Sequence, residues 1–121
     1  MILYAVNRQP GSFVAPLQDI CSLNRELNDS SFTHRLATSI DNKGMLNPIL
    51  VMTLEGYLNV PQDPNNDKYV DHTKPYVCMI GNNRYLYALH RGYTYIECLV
   101  INDLDRLKFM TDKLLIKPRK M

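Results

Sequence analysis

The 121-residue sequence is poor in the features that would place it at once in a specialised class. It has three cysteines, Cys21, Cys78 and Cys98, and no Cys-x-x-Cys pair. That spacing supports neither a disulfide framework nor a zinc ribbon. Cys78 and Cys98 lie inside apolar runs and read as small core residues. Net charge is low: 14 Lys and Arg against 12 Asp and Glu give +2. Such a balance does not by itself announce nucleic acid or a membrane surface. No apolar stretch approaches the roughly 20 residues a membrane span needs. The N-terminus lacks the basic-then-apolar pattern of a secretory signal. A cytoplasmic protein with no membrane partner is expected. Internal repeats and low-complexity segments are also missing.

What is present is ordinary globular composition, 45% hydrophobic and 21% charged. The length fits a single domain, 1–121, that buries a core without staples. Positive charge is uneven, with Lys113, Lys117, Arg119 and Lys120 in a basic tail over 113–121. That tail reads as a solvated end or as a phosphate contact.

Periodicity organises the rest. Residues 2–6 read as a short strand. Pro16 suits the first turn of a short helix that would carry Leu17, Ile20 and Cys21 inward. Asn28, Asp29, Ser30 and Ser31 offer N-cap side chains, and Phe32, Leu36, Ala37 and Ile40 follow at helical spacing. Gly44 stands where a glycine ends a helix, so a helix is predicted over 31–43. Residues 48–54 are apolar and β-branched, a buried strand. Residues 61–75 hold Pro61, Pro64, Asn65, Asn66 and Pro75 without apolar periodicity, which makes a long polar loop with a strand edge at Tyr69 and Val70. A strand over 76–80 runs through Gly81 into a helix over 82–91 with Tyr85, Ala88 and Leu89 inward, stopped by Gly92. Because residues two apart point to different sides of a helix, Tyr85 and Tyr87 are not both expected inside. A strand over 95–101 and a helix over 104–115, with Leu104, Leu107, Met110 and Leu114 inward, complete a small mixed α/β (α+β) fold, a mixed sheet flanked by helices.

The passage from residue 76 to residue 84 carries the chemistry. An apolar strand ends at Gly81, and a helix starts within a residue or two. The first N–H groups of a helix have no internal acceptor, and with the helix dipole they suit an anion. A glycine lets a phosphate approach the backbone, and Arg84 in the first turn can grip phosphate oxygens with two N–H groups. Asn82 and Asn83 either bond the ligand or cap the helix.

Other signals have plainer readings. Asp63, Asn65 and Asp67 imitate the start of a calcium loop, but Lys68 stands where its glycine is needed and Lys74 where its bidentate glutamate belongs. His34, His72 and His90 share no metal-ligand spacing. His34 and His90 are expected on exposed helix faces. His72, beside Asp71, is the histidine to follow, as a loop His–Asp pair can act as a base.

Three boxes resemble the ParB/sulfiredoxin superfamily. The first is Leu36-Ala-Thr-Ser-Ile40 followed by Gly44-Met-Leu-Asn-Pro-Ile-Leu-Val51. The second is Tyr76-Val-Cys-Met-Ile-Gly-Asn-Asn-Arg-Tyr-Leu-Tyr-Ala88, and the third is Gly92-Tyr-Thr-Tyr-Ile96 with Cys98-Leu-Val100. Val14-Ala-Pro-Leu-Gln-Asp-Ile20 is similar to the family's opening strand and turn. The resemblance covers about residues 13–101 and implies that the second box holds the phosphates of a cytidine nucleotide. Gly81 and Arg84 match that box, whereas Asn82 and Asn83 replace its Glu and first Arg. Thr38, Ser39, Gly44, Asn47 and His72 are secondary candidates. The family's Glu-Asn-x-x-Arg box has only a loose counterpart in Asp103-Leu-Asp-Arg-Leu107, and no helix-turn-helix region follows, so a DNA clamp is not expected. In sulfiredoxins a cysteine occupies the place of Asn82, so the thiolate chemistry is not expected either.

Nuclease or phosphotransfer activity in the superfamily needs a carboxylate as base or metal ligand, a nucleotide with Mg²⁺ being the implied cofactor. Glu55, Asp41, Asp103 and Asp105 are the acids near strand ends, and no pattern singles one out. Two function classes therefore stand. One is a ParB-like module binding a nucleotide or nucleic-acid backbone at residues 81–84, with or without nuclease or transfer chemistry. The other is a non-enzymatic adaptor or inhibitor of a protein partner, or a homodimer, whose ancestral ligand site has lapsed. A compact stand-alone module also suits a phage or mobile-element gene.

Overall fold

A computed structural model of the chain describes residues 1–23, 31–60, 70–103 and 105–107, with the backbone alone for 31–33. At its centre lie β4 (Ile49–Thr53) and β6 (Tyr95–Val100), paired in parallel through Ile49↔Cys98, Leu50↔Leu99 and Val51↔Val100. Their apolar runs are buried on both faces, which is why neither alternates polar with apolar. Ile49 and Val51 face a core shared with Cys78, Tyr85, Ala88, Ile96 and Cys98. Leu50 and Met52 face the other side, where Tyr57, Val77, Leu99 and Leu107 cover them.

The remaining strands extend this pair. β5 (Tyr76–Ile80) runs antiparallel to β4, and β3 (Ile20–Ser22) runs parallel to β5. On the far side, β2 (Phe13–Pro16) takes one edge of β6 in antiparallel register. β1 (Ile2–Leu3) pairs in parallel with Tyr95 and Ile96 on the edge that β4 occupies further along. The path is β1-β6-β4-β5-β3, with β2 off it.

Helices position the rest, and a further one starts at Asp105 among the described residues. α1 (Ser31–Lys43) ends as predicted at Gly44, whose φ of 81° needs a glycine and whose N–H donates to Ile40 O at 2.9 Å. α2 (Leu54–Leu58) is a five-residue helix that follows β4 directly, capped by the Thr53 hydroxyl accepting from the Gly56 N–H. α3 (Asn82–His90) follows β5 across Gly81. It is latched to α1 where Arg91 meets Asp41 at 2.7 Å and the Tyr87 hydroxyl donates to the same carboxylate.

Several expectations need correction. Ile20 and Cys21 lie in a strand, because their backbone completes the sheet edge beside Tyr76 and Val77; only Leu17–Asp19 coil, as one 3-10 turn. Leu89 is 52% exposed, while Leu86 is buried. Tyr85 and Tyr87 are both buried. α3 is covered from two directions: Tyr85 donates to Leu17 O at 3.1 Å, and Tyr87 lies under α1 and beside the Tyr93 ring. A helix covered on two sides buries an arc wider than one stripe.

The expected caps at 28–30, the loop over 61–69 with its calcium-like acids, Leu104, Met110, Leu114 and the basic tail 113–121 lie outside the described residues. Among the described residues no helix is long and apolar enough to cross a membrane.

Candidate functional site

The turn between β5 and α3 has a geometry only glycine allows. Gly81 has φ 103° and ψ 24°, in the left-handed region, and caps α3 without a side-chain bond. A Cβ built there would lie 2.7 Å from Ile49 Cγ2 and 2.8 Å from Arg84 Nη2. The turn is therefore closely packed on the start of β4 and on the guanidinium of Arg84.

Asn82 works as a strut. Its Oδ1 accepts from the Ser22 hydroxyl and the Leu23 N–H, both at 2.9 Å, and its Nδ2 donates to Cys78 O at 3.2 Å. Three bonds tie the end of β3, the end of β5 and the start of α3 into one corner. Hence this side chain holds the turn, with its oxygen committed to two donors and one of its two Nδ2 N–H groups to Cys78 O.

Arg84 folds back over the glycine. Nη1 donates to Asn47 O at 2.7 Å and more weakly to Pro48 O at 3.4 Å. Nε and Nη2 make no hydrogen bond among the described residues and are not sealed from solvent. The group is half-buried, and burial pulls its pKa below the ordinary arginine value. No carboxylate among the described residues pairs with it. The turn thus combines a helix N-terminus, a glycine with no side chain and a cation whose partners among the described residues are carbonyl dipoles.

The acids are elsewhere. Asp41 belongs to the latch at the other end of α3, where the Tyr87 bond first and then Arg91 hold its carboxyl below the usual range. Thr53 pairs with Tyr76, so Glu55 just after β4 sits at the end of the sheet opposite Gly81. Asp103 follows β6 at that same end, where Asn102 accepts from the Thr53 N–H; its Oδ1 caps Asp105 and Arg106. Asp19 and Asp71 precede β3 and β5, again at that end. A strand of five residues spans roughly 16 Å.

The secondary candidates separate. Asn47 joins the cradle through its backbone carbonyl, and Gly44 serves the end of α1. Thr38 and Ser39 line an open groove of about 350 Å³ on α1 with His34, Arg35, Asn42 and Lys43, none of them shared with the turn. His72 is exposed before β5, while Asp71 Oδ1 accepts from the Thr73 N–H and hydroxyl. His34 and His90 are exposed, as expected. Cys78 and Cys98 are buried core residues, and burial pushes both thiols up to about 12, far from a reactive thiolate.

Glu97, which the sequence reading did not select, is fully buried on β6. It accepts from the Ala5 N–H at 2.9 Å, Arg8 Nε at 3.1 Å and the Ser12 hydroxyl at 2.5 Å. Burial raises its pKa, but the bonds from Ser12, Ala5 and Arg8 outweigh that and hold the carboxyl below the usual value. A lone acid inside the apolar run 95–100 was the available signal. Its partners lie more than 80 residues away, which no local pattern could supply.

No protein-family model matches the chain, and no curated protein matches it. Among solved structures, it is similar to the C-terminally truncated chromosome-partitioning protein ParB from Caulobacter crescentus complexed with CTP-γ-S. The identity is 22% and the TM-score 0.52, over 91% of this chain and 56% of that one. The likeness shows the fold, a ParB-like mixed α/β arrangement.

Proposed function

We propose that the protein binds a phosphate-bearing ligand, a nucleotide or a nucleic-acid backbone, at the Gly81 turn. The observation that carries this reading is Arg84, a half-buried guanidinium with no carboxylate partner among the described residues and with Nε and Nη2 unspent, beside a helix N-terminus. An uncompensated cation in a partly desolvated corner is costly, and an anion relieves that cost. The fold likeness to a ParB complexed with CTP-γ-S adds support for a nucleotide as the ligand. The acids at the far end of the sheet and in the α1–α3 latch supply no base at the turn, so binding rather than nuclease or transfer chemistry is the activity favoured. The donor set also does not fit Mg²⁺, which is ordinarily held by one or two protein carboxylates besides phosphate oxygens.

Thermal shift against a panel of nucleotides and short oligonucleotides tests this. A ligand at about 100 times its Kd adds about 2.7 kcal/mol of stability, and Arg84→Ala should remove the shift. No shift from any member of the panel would discard the reading.

A second reading, an adaptor for a protein partner, is favoured by one observation. Asn82 Oδ1 and Arg84 Nη1 are spent on internal bonds. In that case residues 81–84 are a structural corner alone.

A further inference from the structure

Resting on the phosphate reading, we infer that the Gly81 turn takes a single phosphate group, a phosphomonoester or phosphodiester, without a divalent cation. Two features of the corner lead there. The first is the amount of positive charge. Among the described residues Arg84 supplies one unit at the turn, and the start of α3 adds the equivalent of about half a unit. A phosphodiester carries one negative charge, and a phosphomonoester about −1.5 to −2 at neutral pH. Those charges match the corner, whereas a triphosphate chain brings far more than it can balance.

The second feature is the lack, among the described residues, of a group to bring a metal that would make up the difference. The Asn82 side-chain oxygen, fixed at the start of α3, already accepts from Ser22 and Leu23. Moving that oxygen to a cation would strip two donors at the end of β3 and undo the corner. Among the described acids, Asp41 is held by Tyr87 and Arg91, Glu97 by Arg8, Ser12 and Ala5, and Asp103 by the start of the next helix. Asp19, Glu55, Asp71 and Asp105 lie toward the opposite end of the sheet. The described residues contain no group of three or more His, Cys, Asp or Glu able to hold a metal ion. Recognition instead falls to the N–H groups at the start of α3 and to the two unspent guanidinium nitrogens.

Calorimetric titration with cytidine mono-, di- and triphosphate and with a short single-stranded oligonucleotide, each in EDTA and in Mg²⁺, tests this. The monophosphate or the oligonucleotide should bind in EDTA within about threefold of its affinity in Mg²⁺, and the triphosphate should gain no more than about threefold over the monophosphate. Comparison of the nucleotide and oligonucleotide arms identifies the source of the phosphate. A triphosphate that binds about tenfold or more tighter, and only with Mg²⁺, would overturn the inference while leaving the phosphate reading intact. No binding in any arm overturns both.

Asn82→Asp supplies a second check, since it keeps the acceptor for Ser22 and Leu23 and adds a charge. It should weaken monophosphate binding about tenfold in EDTA, with Mg²⁺ restoring part of the loss. A folded Asn82→Asp protein with unchanged affinity in EDTA would show that the phosphate lies away from the turn and overturn the inference.

Discussion

Glu97 and Arg84 are both charged side chains drawn into the fold, and the chain treats them differently. Around Glu97 the segment 5–12 closes completely: a backbone N–H, a hydroxyl and a guanidinium converge on the two carboxylate oxygens. Around Arg84 the chain offers two carbonyls to one nitrogen and leaves the other two nitrogens and the net charge without a partner among the described residues. The first arrangement fastens the N-terminal segment to β6. The second leaves a guanidinium charge that the proposed anion would balance. A polar group that a fold satisfies from its own chain is structural. One that it carries half-satisfied beside a glycine turn and a helix N-terminus is the better candidate for a ligand.

The largest expected effect belongs to the satisfied pair. Glu97→Ala should cost about 3 kcal/mol in urea unfolding, because it leaves the Ala5 N–H and the Ser12 hydroxyl without an acceptor and Arg8 without its carboxylate. The same carboxylate gives the protein an acid dependence. Its folded pKa lies below the ordinary 4.5, so its contribution is complete above that value and lost as pH falls through the lower folded one. Glu97→Gln should flatten that part of the stability profile, and an unchanged acid limb would assign the dependence to other groups.

Next in size is the glycine turn. Gly81→Ala should cost about 2 kcal/mol, from positive φ together with the contact at Ile49. Gly92→Ala has a similar φ of 81° but open space around its Cβ, and should cost about 1 kcal/mol. Equal losses in chemical denaturation would mean that the Gly81 turn is not closely packed.

Asn82→Ala should follow at about 1.5 kcal/mol, the net worth of the strut's bonds to Ser22, Leu23 and Cys78. Smallest is Arg84→Met. Removing an uncompensated charge offsets the loss of the bonds to Asn47 and Pro48, so stability should change by about 1 kcal/mol or less. A loss as large as that of Glu97→Ala would erase the contrast between the two side chains and make Arg84 a structural residue.

The sequence announced this corner through local signals: an apolar strand, a glycine, a helix start and an arginine one turn in. The end of α1 at Gly44 was legible for the same reason, since one residue type answers one backbone conformation. Long-range pairing was not legible. Ile20 and Cys21 become a strand only because β5 lies beside them. Tyr87 is buried because α1 lies over it, and Leu89 is exposed because that position faces away. At the site itself, residue types were visible but their commitments were not. Asn82 read equally as a ligand contact or a cap, and its bonds to Ser22, Leu23 and Cys78 make it a strut between β3, β5 and α3.

Backbone and side-chain amide chemical shifts during titration with a nucleoside monophosphate test the central claim most directly. Binding at the turn predicts the largest changes at the N–H groups of Asn82 and Arg84 and at Arg84 Nε, with Glu97 and its partners unmoved. Changes centred instead on the α1 groove between His34 and Lys43, with the Asn82 and Arg84 signals unmoved, would contradict it.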